Sequence, residues 1–564
     1  MNQVCTQCSD EFEITDDDLN FYDEISPKLG GQKFPLPPPE KCPRCRQRRR
    51  LAWRNERSLY KRKCDATDKM IIAVFSDDKP YTVYDNEAWY ETNWDGKDFA
   101  RDFDFQRTFF EQFTELLESV PLLARSTLNL QNSDFTNQCG WSKNCYLTFE
   151  ADGNENCMYA NNMFDCRWSS DCLYVIDCEL CFESIDCVKC YNVKYSQDCY
   201  NSFDSLFLKN CIGCKNCIGC VNLRNKEYYI FNEKSTKGQY QQKVVEIMNG
   251  SHTAIDVMRE QFNTFRLQFP HRAFYGIQNE DSTGDHINQT QRCYECFDLQ
   301  AAQDCKYVYN ARHTKKVHDM MVFGADKGVE FCYENHEIGD ACRNLVFCDQ
   351  IWGGSSDLLY CKCCIKNCHN LFGCISLKQS NNCILNKQYS EEEFAELIPR
   401  IVQHMKQTGE WGQPFPSAMS PFCYNESVAQ QAFPITPEQA QEEGYRWKDK
   451  IIEIQDIPKI IPAENLPDNI TDIPEDILNW AIKCPNTGRP FRIIQQEYEY
   501  YREHNVPLPR FHPDERHRLR LIQRNPQHVW QRTCAKCSTE VYTSYSPESP
   551  ESIYCEECFR GAVE

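Results

Sequence analysis

The chain has no run of 18 apolar residues, which excludes a membrane-spanning helix. Its first residues, MNQVCTQCSD, carry neither a basic n-region nor an apolar h-region, so no secretory signal is expected. There is no Walker loop, no dinucleotide glycine motif, no HExxH and no GxSxG. The commonest phosphate, nicotinamide, zinc-protease and serine-hydrolase chemistries are thereby removed. Histidine is scarce, at 12 of 564 residues, and His313, His318 and His336 stand in no catalytic spacing. No LxxLxL frame occurs, which excludes a leucine-rich horseshoe. A formal charge of −21 argues against a surface that coats nucleic acid as a whole, though not against a local basic patch.

What the chain has in abundance is cysteine, 37 residues in all. The count is odd and includes CxxC knuckles, which need reduced thiols, so a reducing cytoplasm is expected rather than a disulfide scaffold.

The two ends are copies of one module. Cys5, Phe12, Ile14 and Phe21-Tyr22 recur as Cys484, Phe491, Ile493 and Tyr500-Tyr501, at an offset of 479. A shorter loop then moves the offset to 470, where Arg46, Arg50, Arg54 and Cys64 match Arg516, Arg520, Arg524 and Cys534. Each copy keeps a different half of an ancestral pair of sites. The first retains Cys5, Cys8, Cys42 and Cys45, while its later site has decayed to Cys64, Thr67, Asp85 and Ala88. The second retains Cys534, Cys537, Cys555 and Cys558, and its early site reads Cys484, Thr487, His512 and Glu515. Two CxxC knuckles supply four thiolates for one tetrahedral Zn²⁺ with no open position for substrate. Two structural zinc ions are therefore expected, and the mixed set at Cys484 is expected to hold none, because threonine is a poor ligand.

A second duplication fills the middle. Glu111-Gln112-Phe113 returns as Glu260-Gln261-Phe262, and Cys139, Cys178, Cys214 and Cys220 fall on Cys293, Cys332, Cys368 and Cys374 at an offset of 154. Each half reads as helix, cysteine-rich segment, helix, the amphipathic flanking helices expected to cover the open ends of what lies between them. Within the first half, Cys157, Cys178, Cys199 and Cys220 lie 21 residues apart, many cysteines following Asn or Asp. A fixed period of this size predicts a solenoid of short β-segments with an interior cysteine ladder, less regular in the second half. The run CIGCKNCIGC (Cys211, Cys214, Cys217, Cys220) partly matches a ferredoxin motif, but its last gap is short and Val221 stands where proline belongs.

The fold class expected is mainly β with helices: two tandem cysteine-rich β-solenoid units with capping helices, flanked by zinc-ribbon modules. The boundaries are 1–95 for the first module, 96–250 and 251–410 for units A and B, 411–483 for a proline- and aromatic-rich connector running back along the solenoid, and 484–564 for the second module.

Lys41 to Lys63 holds eleven basic residues against one acid, Glu56. On a helix after the knuckle, Arg46, Arg49, Arg50, Arg54 and Lys61, with Arg516, Arg520 and Arg524 in the second copy, form a candidate face for RNA, DNA or the ribosome. A solvated helix, or one neutralised by the chain's own acids, is the competing reading.

The run CPRCRQRRRLAWRNERSLYKRKC (42–64), with the tail knuckles CAKC and CEEC (534–558), resembles the zinc-ribbon proteins of small-genome candidate-phylum bacteria. The resemblance covers almost the whole chain. It implies zinc and a cellular location but no reaction.

Function is accordingly expected to be that of a non-enzymatic, zinc-binding, cytoplasmic scaffold with a macromolecular partner and no membrane. The alternatives are a metal-storage or redox protein using the interior cysteines, through an iron–sulfur cluster or soft metals, and then a polysaccharide-active enzyme with Asp319, Asp326 and Asp340 as its acids.

Overall fold

The computed structural model describes every residue except 323, 325–326, 450–458 and 564. Asp326 therefore lies outside the described residues. The architecture is mixed α/β rather than mainly β: among the described residues twelve α-helices accompany many short strands. The helices come from the terminal modules, the leads into each unit, the segments that follow each ladder (Lys237–Ile247 and Glu391–Gln407) and the connector, which together outweigh what the cysteine pattern alone conveyed.

Unit A is a parallel ladder of constant register. Asn137 lies opposite Phe149, Phe149 opposite Asn161, Asn161 opposite Leu173 and Leu173 opposite Ile185. Bridges carry the same step on to Gln197, Lys209 and Val221. The repeat is thus 12 residues, not 21.

A smaller unit of three residues underlies it. From Gln138 to Asn210 the non-glycine residue at every third position has φ between 44° and 56°. That left-handed backbone costs an L-residue roughly 1–2 kcal/mol, least for Asn and Asp, which explains the many Asn-Cys and Asp-Cys pairs. The next residue of each triplet points inward, and every cysteine of unit A occupies that place.

Residues 143–145 show why. Lys143 N donates to Asn154 O and Asn144 N to Gln131 O, both at 2.9 Å, so two of three amides join the ladder. The third, of Cys145, donates inward to Ser133 Oγ at 2.9 Å. Cys190 N likewise donates to Cys178 Sγ at 3.4 Å. An inward cysteine or serine therefore accepts the amide that the ladder omits, and its own S–H or O–H turns to a carbonyl, as Cys178 Sγ does to Ile176 O at 3.3 Å. A buried amide left without such a partner costs about 1–3 kcal/mol. Small size and hydrogen-bonding capacity suit cysteine to these inward places.

Unit B follows the same plan with uneven steps. Gly284 pairs with Cys296 twelve residues on, Thr314 with Val329 fifteen on, and Val329 with Cys342 thirteen on. The irregularity expected in this half is present. One consequence is that Cys178 and Cys214 share a column in unit A, whereas Cys332 stacks on Leu345, Leu358 and Leu371 in unit B, leaving Cys368 in the column of Ser355.

The two halves are joined crosswise. Val83-Tyr84 of the first module pairs with Leu122-Leu123 at the start of unit A. The matching strand of the second module, Ile553-Tyr554, pairs with His271-Arg272 at the start of unit B, the two contacts being related by the offsets of both duplications. The lead helices do not cover open ends as expected. Helix Phe109–Ser119 precedes unit A yet lays Phe109 5.2 Å from Tyr360 and Phe372 of unit B. Helix His252–Arg266 precedes unit B yet sets Phe262 6.0 Å from Phe207 of unit A. The connector begins in the core between the first module and unit B, at Trp411, Phe415 and Phe422. It ends, at Ala463, Leu466 and Ile470, in the core between unit A and the second module. Its short helix Pro437–Glu442 starts at the expected cap, with Thr436 Oγ1 accepting from Gln439 N.

Candidate metal centres

Four knuckles share one backbone. In the first, Cys5 N donates to Asp10 O at 2.9 Å, Ser9 N donates to Cys5 O at 3.0 Å, and Ser9 has φ 64°. The same two bonds recur at Cys64 with Asp68, at Cys484 with Gly488 and at Cys534 with Ser538. A knuckle of this kind turns its amides toward the sulfur, as Gln7 N does to Cys5 Sγ at 3.4 Å.

Cys5, Cys8, Cys42 and Cys45 converge, their sulfurs all within 4.8 Å of one another. The second pair sits on the first arginine helix, Pro43–Leu51, with Cys42 as N-cap and Pro43 at the first helical position. Cys5, Cys42 and Cys45 are buried and Cys8 is exposed. Four thiolates at this spacing need a dication, and an all-sulfur tetrahedron suits zinc.

Cys534, Cys537, Cys555 and Cys558 form the second such group within 4.8 Å. The first pair lies between strands Trp530–Thr533 and Glu540–Thr543, and the second opens helix Glu556–Val563. This site is more open than the first, with Cys537 exposed and Cys555 and Cys558 half-buried.

The two decayed sites keep the knuckle and replace the ion with hydrogen bonds. Asp85 N donates to Cys64 Sγ at 3.3 Å, and the Asp85 carboxylate caps Ala88 N at 2.8 Å. His512 Nδ1 accepts from Asp514 N at 3.1 Å, and Glu515 accepts from Asn486 and from Arg518. His512 and Glu515 of the mixed set are thus engaged in hydrogen bonds within the module.

The candidate nucleic-acid face is not on the surface. Arg46 Nη2 lies 2.9 Å from Asp319 Oδ2, Arg49 Nη2 2.5 Å from Glu334 Oε2, and Arg50 Nη1 2.9 Å from Asp319 Oδ1. Arg54 is fully buried among Glu56, Glu150 and Glu337. In the second arginine helix, Pro513–Leu521, Arg516 and Arg520 both reach Asp171, at 2.9 and 2.6 Å. Beyond that helix Arg524 reaches Asp186 and Asp298. Of the eight residues only Lys61 is exposed. The correction has a simple cause: apart from Glu56, the acids named here sit at left-handed positions of units A and B, far away in sequence. Asp319, raised above as a candidate enzymatic acid, is one of them and has no exposure at all.

Among the described residues no three interior thiols lie within 4.8 Å of one another. Cys211, Cys214, Cys217 and Cys220 each turn to different carbonyls, among them Cys220 O for Cys211 and Leu223 O for Cys214. Among the described residues the only other ligand group within 4.8 Å is Asp186, Asp198 and His286, which the sequence reading missed because it spans both units. This group is already neutralised. Lys209 Nζ lies 2.5 Å from Asp198 and Arg524 Nε 3.0 Å from Asp186. Although burial opposes it, Asp186, Asp285 and Asp198 raise His286 to about 10, which favours a charged partner for these carboxylates over a neutral imidazole ligand.

No family model matches the chain, and no curated protein matches it. Among solved structures, a crystal structure described as a "putative acetyltransferase" from Desulfovibrio desulfuricans G20 is similar at 12% identity and a TM-score of 0.11. The match covers 43% of this chain and 64% of that one, so the chain spans just under two thirds of that protein's length.

Proposed function

We propose that the chain is a non-enzymatic, zinc-bound scaffold in which two four-cornered β-solenoid units are locked together by two copies of one zinc-ribbon module. The observation that carries this is the crosswise ion pairing: each module grips the start of one unit with a strand and the flank of the other with its arginines. The 12-residue register supports a coil of four triplets, whose narrow interior suits cysteine, serine and alanine. Zinc at each Cys₄ group would fix the knuckle and the helix or strands beside it, supplying folding energy that so small a module lacks. The arginines are assigned to internal locking rather than to phosphate.

Elemental analysis of the purified chain tests the reading. The expected content follows from the two Cys₄ groups, about two zinc atoms per chain and no iron. Iron in stoichiometric amount would instead establish the interior thiols as a cluster site.

A further inference from the structure

One outward column of unit A is apolar and has no cover. Phe164 pairs with Ile176 and Ile176 with Val188, and bridges continue the column through Tyr200 to Ile212. Five apolar side chains thus stand in register on successive rungs about 4.8 Å apart, a stripe about 19 Å long. Ile176 is 41% exposed and Tyr200 44%, and the other three are half-buried. Among the described residues none of the five belongs to a hydrophobic cluster.

The other outward columns are accounted for. Asn161 and Leu173 face the modules, where Arg57 donates to Asn161 Oδ1 at 2.5 Å. Phe182 and Leu206 lie in the core beneath the second module. Lys143, Glu155, Arg167 and Glu179 form a charged column suited to water. The faces of a parallel sheet are ordinarily covered, and a contiguous apolar patch left bare marks an interaction site.

The corner beside the stripe identifies what covers it. The left-handed residue after Ile176 is Asp177, and the one after Val188 is Lys189. Both are exposed, and among the described residues their side chains form no ion pair or hydrogen bond. Consider a second copy turned about a two-fold axis that crosses the stripe between Ile176 and Val188. The two ladders then run antiparallel and the order of rungs is inverted. Ile176 faces the partner's Val188, Phe164 faces the partner's Tyr200, and Asp177 faces the partner's Lys189, each contact being made twice. Asp165, on the rung of Phe164, meets the partner's Asn201, so no like charges are opposed along this corner.

We propose that unit A pairs across this stripe with unit A of a second copy, giving a closed two-fold dimer. An apolar partner of any other kind would leave Asp177 and Lys189 unanswered at the edge of the contact, whereas the inverted copy answers both. The inference goes beyond the scaffold reading and does not depend on the zinc ions.

Sedimentation velocity of the full zinc-loaded chain over a concentration series, at physiological ionic strength, tests it. A monomer–dimer equilibrium is expected, with nothing larger. Ile176→Glu should weaken the dimer about tenfold or more, as should Asp177→Lys and Lys189→Glu singly, since each sets like charges face to face. Asp177→Lys and Lys189→Glu together restore the match and should restore the dimer. With isotopically light and heavy chains mixed, a carbodiimide link between Asp177 and Lys189 should join one of each. A monomer at every concentration overturns the inference. So do an open series of larger species, a dimer that survives Ile176→Glu, links confined to one chain, and a double exchange that fails to restore association. Thermal unfolding of each variant shows that it is folded, and zinc content reports on the scaffold reading separately.

Discussion

Arg50 and Asp319 face one another 2.9 Å apart with side-chain exposures of 4% and 0%, across a sequence separation of 269 residues. Arg520 repeats the arrangement with Asp171 in the other half, 349 residues away. Charges so deeply buried are tolerable only in company. Removing one member, as in Arg50→Met, is expected to destabilise by at most about 3–5 kcal/mol, because Asp319 then keeps only Arg46 and the buried network is left short of one positive charge. Urea unfolding checks this, and Arg50→Met with Asp319→Leu should cost less than the two single changes added.

The metal sites differ in access. The sulfurs of Cys5, Cys42 and Cys45 lie in the core beside the first arginine helix, whereas Cys537 is open to solvent. A chelator should therefore strip zinc in two phases, the fast one from the C-terminal site. Cys537→Ser should abolish the fast phase and Cys42→Ser the slow one, with the larger loss of stability in the second variant.

Thiol chemistry separates architectural cysteines from accessible ones. Thirty-two of the 37 are buried, and burial pushes thiols such as Cys139 and Cys172 well above the ordinary cysteine range. In the native chain a thiol reagent should modify Cys423 first, the thiols of the two Cys₄ groups only as metal is removed, and the buried rest only after unfolding. At an inward position such as Cys178, serine should cost less than valine by roughly 1–3 kcal/mol, since valine cannot accept the Cys190 amide.

Stability should fall on both sides of neutrality. Burial depresses His271 to about 4 and His318 to about 3, the latter stacked 3.5 Å from Phe21. The unfolded chain binds those protons first, so stability is lost as pH drops from about 6.5 toward 3. His286 is the opposite case. Its folded value is raised to about 10, so its contribution is present below about 6.5 and disappears as pH rises toward 10. Thermal midpoints across pH check the dome, and His286→Gln should flatten only its alkaline side.

The metal ligands were legible because both knuckles of each site lie in one short stretch, and both duplications were legible from constant offsets. The length of the ladder repeat was not. Cysteine marks only some of the inward places, and twenty-one is as good a multiple of three as twelve, so the strongest spacing among Cys157, Cys178, Cys199 and Cys220 named the wrong turn. Only the pairing of Asn137 with Phe149 and its successors fixes it. The fate of the arginines was hidden for a different reason. Their partners, Asp319, Glu334 and Asp171, look like any other left-handed Asn or Asp position of the repeat until units and modules are brought together.

The crosswise joining also dictates an order of completion. Unit A leaves the ribosome early, but Asp171 and Asp186 wait for Arg516, Arg520 and Arg524, some 340 residues later. Until then they are bare anions on an unsealed flank. No truncation that keeps the first half alone yields a finished half, and the molecule reaches its native state only when its last module closes the first.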